Sequence, residues 1–260
     1  MTDQLDPQHD PRSVDELFCV VLTEPPDDED DTYWNAICAL HFRDTREVFE
    51  RGVALCRSNC PLERRVGAAI LAQLGVPERT FPGECVATLL KMLRADEDAT
   101  VLHSALIALS HHDAPQSIRP AVRFLRHADE ELRYAVVHAL TGYDDPLAIE
   151  SLITLTADPA DEVRDWATFG LAQQSSVDTP EIREALAARL DDPHEDCRGE
   201  ALIGLARRRD PRAAAAVDRE LRENPHSYFA AEAAELINQH KYQRQCPRPL
   251  TLLERVRLRP

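Results

Sequence analysis

The chain has 260 residues and a net charge of −16, with 43% apolar residues, 5% aromatic residues and 8 glycines. This length allows one large domain or two small ones, and the scarcity of glycine favours helix throughout. The acidic balance excludes the basic surface that nucleic-acid binding normally needs, and no window is apolar for long enough to span a bilayer. The N-terminus is polar and acidic, so we expect a soluble cytoplasmic protein without a secretion signal.

Residues 1–32 form an acidic N-terminal segment with eleven acidic residues and one arginine. The stretch "SVDELFCVVL", residues 13–22, predicts a first capping helix, in which Ser13 and Glu16 have the spacing of a capping box. The next stretch, "PPDDEDD" at 25–31, is too charged to pack and predicts a mobile loop.

One helix motif recurs through residues 33–240. The stretches "DEVRDWATFGLAQQ" (161–174) and "EDCRGEALIGLARR" (195–208) share an acid, an arginine, an alanine and a leucine at the same spacing. Each predicts a single amphipathic helix. The leucine serves as an anchor, and it recurs at Leu40, Leu71, Leu109, Leu140, Leu171, Leu205 and Leu236.

Small residues recur four residues and one residue before most of these anchors, as Gly67 and Gly204 illustrate. Positions −4 and 0 share a helix face, so small residues there allow a neighbouring helix to approach closely. Second helical segments lie between the anchored helices, for example "ECVATLLKML" and "PEIREALAARL". Each pair predicts a helical hairpin, which must stack on its neighbours to bury its apolar face.

The pattern Asp/Glu, apolar, Arg, two residues, Ala, three residues, Leu resembles HEAT repeats, in the short bacterial form called phycobilisome-lyase-like. The resemblance covers residues 33–240 and implies an all-α, right-handed α-solenoid (a superhelix) of about seven hairpins, in which the second helix of each hairpin lines a concave surface. It also implies that the acids near each turn pair with a structural ladder of arginines, which comprises Arg64, Arg133, Arg164 and Arg198.

Residues 241–260 carry six basic residues and one acidic residue. The stretch "PLTLLERVRL", residues 249–258, predicts a half-hairpin that covers the C-terminal end of the repeats. We therefore divide the chain into an acidic segment at 1–32, a repeat domain at 33–240 and a basic capping segment at 241–260.

Side chains with catalytic potential are present but do not form a recognisable set. An iron hydroxylase in the HEAT family uses repeated His-Glu pairs, whereas this chain has one such pair, His194–Glu195, in a turn. No nucleophile elbow or glycine-rich phosphate loop occurs. His111 and His112 end a helix, where a cation would suit the helix dipole. We therefore expect no catalytic residue, metal or cofactor, although a bilin lyase-like or other HEAT-type enzyme remains an alternative.

A binding surface is the remaining interpretation. Positions −6, −2 and +2 from the anchors lie opposite the core-facing positions of each helix, and they gather aromatic and histidine side chains. Large aromatic residues on such a face are typical of binding hot spots. Phe169 and Trp166 also have a second interpretation, as padding between repeats. The residues predicted to contact a partner are His103, Tyr134, His138, Asp165, Trp166, Phe169 and Glu200.

These observations predict a non-catalytic scaffold, monomeric when unbound, that binds another protein on its concave face. Because the protein is acidic, we expect the partner to be basic, and we expect neither nucleic acid nor membrane as a ligand. A sharper hypothesis is an immunity protein that neutralises a toxin such as a nuclease.

Overall fold

A computed structural model describes residues 6–23 and 32–245 of the chain, with the side chains of 240–245 excepted. The predicted acidic loop at 25–31 and the half-hairpin at 249–258 lie outside these residues. The chain divides into two compact units, Met1–Ser151 (unit 1) and Leu152–Pro260 (unit 2). Throughout the described residues the regular structure is helical, and no helix there is both long and apolar enough to cross a membrane.

Unit 1 consists of helical hairpins. Its helices are α1 (Val14–Thr23), α2 (Thr32–His41), α3 (Arg46–Leu55), α4 (Pro61–Ala72), α5 (Pro82–Ala95), α6 (Ala99–Ser110), α7 (Ile118–Val122) and α8 (Glu130–Leu140). Helices α1 and α2, α3 and α4, α5 and α6, and α7 and α8 pack in pairs, and α4 packs on α6 and α6 on α8. The first helix begins as predicted, since the backbone N–H of Ser13 donates to Glu16 Oε2 at 2.7 Å and that of Glu16 to Ser13 Oγ at 3.3 Å.

Helix α9 (Pro146–Leu155) contains the boundary between the units. Unit 2 continues with α10 (Asp161–Phe169), a π-helical segment (Gly170–Gln174), α11 (Pro180–Ala187), α12 (Glu195–Arg207), α13 (Arg212–Glu223) and α14 (Tyr228–Gln245). Helices α11 and α12 and helices α13 and α14 form hairpins, while α12 packs between α10 and α14. The stretch 161–174 was predicted as one α-helix, but its last five residues adopt the wider π-helical form.

Six of the seven anchor leucines lie in the core, whereas Leu236 on α14 is half-buried. Leu40, Leu71, Leu140, Leu171 and Leu205 are fully buried, and Leu109 is 1% exposed. The small residues beside them permit close helix contact. A Cβ added at Gly67 would lie 2.8 Å from the carbonyl oxygen of Gly52 on α3, and one at Gly204 would lie 2.8 Å from Ala172 Cβ. These distances are shorter than a carbon contact allows, so the repeat motif specifies glycine there for packing.

Position +3 from the anchor links consecutive repeats through the main chain. His112 Nε2 donates to the carbonyl of Leu71 at 3.0 Å, the Tyr143 hydroxyl donates to the carbonyl of His112 at 3.2 Å, and Arg208 Nη2 donates to the carbonyl of Leu171 at 2.6 Å. The last carbonyls of a helix have no partner within it, so these side chains satisfy acceptors that would otherwise stay unpaired.

His112 therefore differs from its sequence-based interpretation. It is 8% exposed, and burial lowers the pKa of its imidazole, which keeps the ring neutral at neutral pH. The expectation of a cation that interacts with the dipole of its own helix was wrong. His112 is a neutral donor to the preceding repeat.

Candidate functional site

The partner-binding residues predicted in unit 1 form a group of half-buried polar rings. His103 lies on α6, and Tyr134 and His138 lie one turn apart on α8, with ring centroids 4.5 Å from each other. Burial lowers the pKa of both histidines, and the positive potential of neighbouring His103 and His111 lowers that of His138 further. At neutral pH this group is therefore polar and aromatic with uncharged imidazoles.

The aromatic pair in unit 2 lies on α10. Trp166 is 37% exposed and Phe169 is half-buried, and their rings meet edge to face with centroids 5.5 Å apart. Residues three apart are neighbours on a helix surface, so the two rings form one continuous apolar patch. Neither ring is sealed in the core, so each remains available to a partner.

Glu200 differs from the exposed acid that was expected. It is only 9% exposed, and it accepts a hydrogen bond from Gln173 Nε2 at 2.7 Å. Burial raises the pKa of this carboxyl to about 7, and the nearby carboxylates of Asp165 and Glu232 act in the same direction. The side chain was misplaced because α12 lies between α10 and α14, so both sides of the helix are covered.

Asp165 is half-buried on α10, and its Oδ1 is inaccessible to solvent and has no hydrogen-bond partner among the described residues. Burial raises the pKa of its carboxyl to about 6, and the carboxylate of Asp196 raises it further. One ligand-type atom from each of Asp165, His194 and Asp196 lies within 4.8 Å of the others. The structure thus brings Asp165 to a turn that the sequence interpretation treated as solvated.

A chain of hydrogen bonds and one ion pair connects Glu200 to α14. Gln173 Nε2 donates to Glu200, and Gln173 Oε1 accepts from Arg207 Nη2 at 3.1 Å. The same Arg207 nitrogen lies 3.9 Å from Glu232 Oε1. We call the surface formed by Asp165, Trp166, Phe169, Glu200 and Glu232 the α10–α12–α14 face. It combines two aromatic rings with three carboxyl groups, and Arg207 offsets part of their charge.

The four ladder arginines make one repeated contact. Each donates to the carbonyl six residues before it: Arg64 to Ser58 at 3.1 Å, Arg133 to His127 at 2.8 Å, Arg164 to Asp158 at 2.9 Å and Arg198 to Asp192 at 2.8 Å.

Arg64 and Arg164 also reach an acid in the following turn. Arg64 forms a two-pronged pair with Asp96 at 2.6 and 3.0 Å, and Arg164 forms one with Asp192 at 3.0 Å for both bonds. The hydrogen bonds that Arg164 donates to Asp192 raise the pKa of its guanidinium, which is buried. These contacts hold turns and helices together and leave the arginines little freedom to bind a ligand.

Sequence reasoning missed several residues of the site. His194 and Asp196 were not grouped with Asp165, and Gln173 and Glu232 were not singled out as its neighbours. The repeat alone gives no shared signal, because Asp165 lies six residues before the anchor Leu171 and Asp196 lies nine residues before the anchor Leu205, so the packing of α10 on α12 decides that they meet.

Comparison with known proteins shows which repeats this chain is similar to. Residues 86–172 match the model of HEAT repeats. Protein YibA from Escherichia coli K12 is 26% identical over 191 residues, which cover 71% of this chain and 68% of YibA, and YibA from strain O157:H7 matches equally well. The X-ray structure of E. coli YibA has a TM-score of 0.70 at 24% identity, covering 88% of this chain and 83% of YibA. The resemblance and the all-α solenoid class are therefore confirmed.

Proposed function

From the match of residues 86–172 to HEAT repeats, we propose that the protein is a non-catalytic scaffold that binds a basic segment of another protein on the α10–α12–α14 face. The observation that carries the proposal is the partly exposed Trp166–Phe169 pair beside carboxyl groups from three consecutive anchored helices. A repeat fold specifies no activity by itself, so the proposal depends on this surface.

The aromatic pair supplies the apolar part of the contact. Binding energy at protein interfaces concentrates in a few residues, among which tryptophan is enriched, that insert into dry pockets of the partner. Trp166 is 37% exposed, and the ring of Phe169 packs against it edge to face. A rigid, partly exposed tryptophan loses little conformational entropy when a partner covers it.

The carboxyl groups supply the charge preference. Glu200 and Asp165 both have raised pKa values, because burial and neighbouring acids disfavour their ionised forms. A lysine or arginine placed among them relieves this repulsion. The acidic character continues onto α14, where a surface depression of about 500 Å³ is lined by Tyr228, Glu232 and Glu235. Tyr228 is 72% exposed there and offers a further ring to a cation.

The two tryptophans provide a matched test. The purified wild-type chain would capture its partner from the source organism, and the partner would then be identified and purified. Its affinity would be measured by titration calorimetry for wild type, Trp166→Ala and Trp34→Ala. Trp34 is 50% exposed on α2 and lies outside the proposed face. We expect Trp166→Ala to weaken binding by about 30-fold or more, corresponding to about 2 kcal/mol, and Trp34→Ala to leave it unchanged.

Thermal melting completes the test, since Trp166→Ala should leave the melting temperature nearly unchanged. A large drop in melting temperature would show that Trp166 pads the core. Equal affinity of wild type and Trp166→Ala, or a partner whose contact region is acidic, would refute the proposed face. If the partner is a basic toxin encoded beside this gene, the scaffold is an immunity protein, which is a narrower form of the same proposal.

A further inference from the structure

We propose that Asp165, His194 and Asp196 form a binding site for a divalent transition-metal cation. Two helices bring them together: Asp165 lies on α10, His194 is the N-cap of α12, and Asp196 lies in the first turn of α12. Helices α10 and α12 pack directly on each other. One ligand-type atom from each residue lies within 4.8 Å of the other two, close enough for one ion to contact all three.

Two potential donor atoms in this cluster are buried without a hydrogen-bond partner among the described residues. They are Asp165 Oδ1 and His194 Nδ1, and solvent reaches neither atom. A buried polar atom left unsatisfied costs about 1–3 kcal/mol. Two such atoms on facing elements are a feature that native proteins retain where a ligand satisfies them. A metal ion between α10 and α12 would do so.

The donor set indicates the class of ion. One imidazole nitrogen with two carboxylate oxygens suits Zn²⁺ and its first-row neighbours, whereas Mg²⁺ and Ca²⁺ prefer oxygen donors alone. Asp196 is exposed, so solvent water can complete the coordination. The N-terminus of α12 opposes a cation with about half an elementary charge, but the carboxylates of Asp165 and Asp196 together bring two negative charges.

The inference does not depend on the proposed protein partner, because metal binding is measured on the isolated full chain. In a Trp34→Phe background Trp166 is the remaining tryptophan, and it adjoins Asp165 in the sequence. The chelator-treated protein would be titrated with ZnCl₂ by calorimetry and with CoCl₂ by tryptophan fluorescence. We expect one site per chain, quenching of Trp166 by Co²⁺, and no binding of MgCl₂ in the same concentration range.

Matched substitutions locate the site. His194→Gln and Asp196→Asn should each weaken Zn²⁺ binding by more than about tenfold, since even outer-shell substitutions at metal sites cost 10–100-fold. His226→Gln and Asp218→Asn alter exposed residues elsewhere in unit 2 and should bind Zn²⁺ like the parent. Trp166→Ala should also bind Zn²⁺ normally, which separates this site from the proposed partner contact.

Circular dichroism of each metal-free variant would establish that it is folded. Zn²⁺ affinity and stoichiometry that are the same in His194→Gln as in the parent would overturn the proposal. So would the absence of any Zn²⁺ heat at millimolar concentration, or equal losses in the His226→Gln and His194→Gln variants.

Discussion

In the two units, the carbonyl group of an anchor leucine accepts a hydrogen bond from different kinds of side chain. In unit 1 the anchor carbonyl of Leu71 accepts from the imidazole of His112, while the carbonyls of Ala69 and Ala72 accept from His41 and Arg79. In unit 2 the anchor carbonyl of Leu171 accepts from the guanidinium of Arg208. His112 and Arg208 occupy the same place in their repeats, three residues after the anchor.

The two kinds of donor differ in how their protonation responds to pH. A histidine donor of this kind must be neutral when buried, and burial lowers the pKa of His41 to about 4. Arginine stays protonated at every pH that a protein survives. Histidine donors therefore make unit 1 sensitive to acid, whereas Arg208 adds no acid sensitivity to unit 2 but carries a buried charge that must be hydrogen-bonded.

Removal of Arg208 should have the largest effect. Arg208 is 8% exposed and donates to the carbonyls of Leu171, Val177 and Gly204. Arg208→Met would leave these acceptors buried and unpaired, so we expect the free energy of unfolding to fall by about 3–5 kcal/mol. Urea denaturation followed by circular dichroism measures it.

Arg222 is a matched control, since it lies exposed on α13. Arg222→Met should change stability by less than about 0.5 kcal/mol. A comparably small effect of Arg208→Met would show that solvent or backbone adjustment replaces the guanidinium, and the contrast between the units would then lose its basis.

Acid should destabilise unit 1 by an intermediate amount. The unfolded chain binds a proton at His41 near pH 6.5, whereas the folded chain resists protonation until about pH 4. The stabilisation is therefore complete above pH 6.5 and is lost as the pH falls toward 4, by about 2–3 kcal/mol at pH 4.5. The double variant His41→Gln/His112→Gln keeps an N–H donor at both sites without titration.

Unfolding free energies at pH 7.5 and 4.5 would test this expectation. The double variant should lose less stability on acidification than the wild type, whose two imidazoles must be protonated. Equal losses would mean that other groups control acid sensitivity and that the neutral-donor interpretation fails.

Glu200 should give the smallest effect, with the opposite sign. Its carboxyl has a pKa of about 7 in the folded chain and an ordinary value of 4.5. The folded chain thus takes up a proton first, so this group adds stability as the pH falls from 7 to 4.5 and costs stability above 7. Glu200→Gln keeps an acceptor for Gln173 and should stabilise the protein by about 1–2 kcal/mol at pH 8, with no gain at pH 4.

The exposed Glu235 on α14 provides the comparison for that measurement. Glu235→Gln should leave the free energy of unfolding unchanged at both pH values. If Glu200→Gln instead destabilises the protein at pH 8, the folded chain favours the charged form of Glu200, contrary to the expectation from its burial.

The repeat fold was predictable because its signals are local. The anchor leucines, the small residues before them and the Ser13–Glu16 capping box each depend on neighbours within one or two helical turns, and the structure confirms the capping box, the small residues and six of the seven anchors. The contacts of His112 and Arg208 were not predictable in the same way. Their acceptors lie 41 and 37 residues away, and the offset between repeats decides which carbonyl each donor meets.

The candidate site was predicted in part for the same reason. Trp166 was singled out correctly as a bulky side chain that reaches the surface. The exposure of Glu200 was misjudged, since helical periodicity describes one helix and omits the neighbours on either side of it. The cluster of Asp165 with His194 and Asp196 joins two helices, and helix-by-helix inspection separates its members.

The hydrogen-bond acceptor of the four ladder arginines affects how the sequences of the repeats can diverge. Each arginine donates a hydrogen bond to the main-chain carbonyl oxygen six residues earlier, an atom that every amino acid carries. Turn residues can therefore change during evolution without loss of this hydrogen bond. A duplicated hairpin carries both the arginine and its carbonyl acceptor, so the bond forms in the new copy as well. Selection is then left free to vary the surface side chains that distinguish one copy from the next.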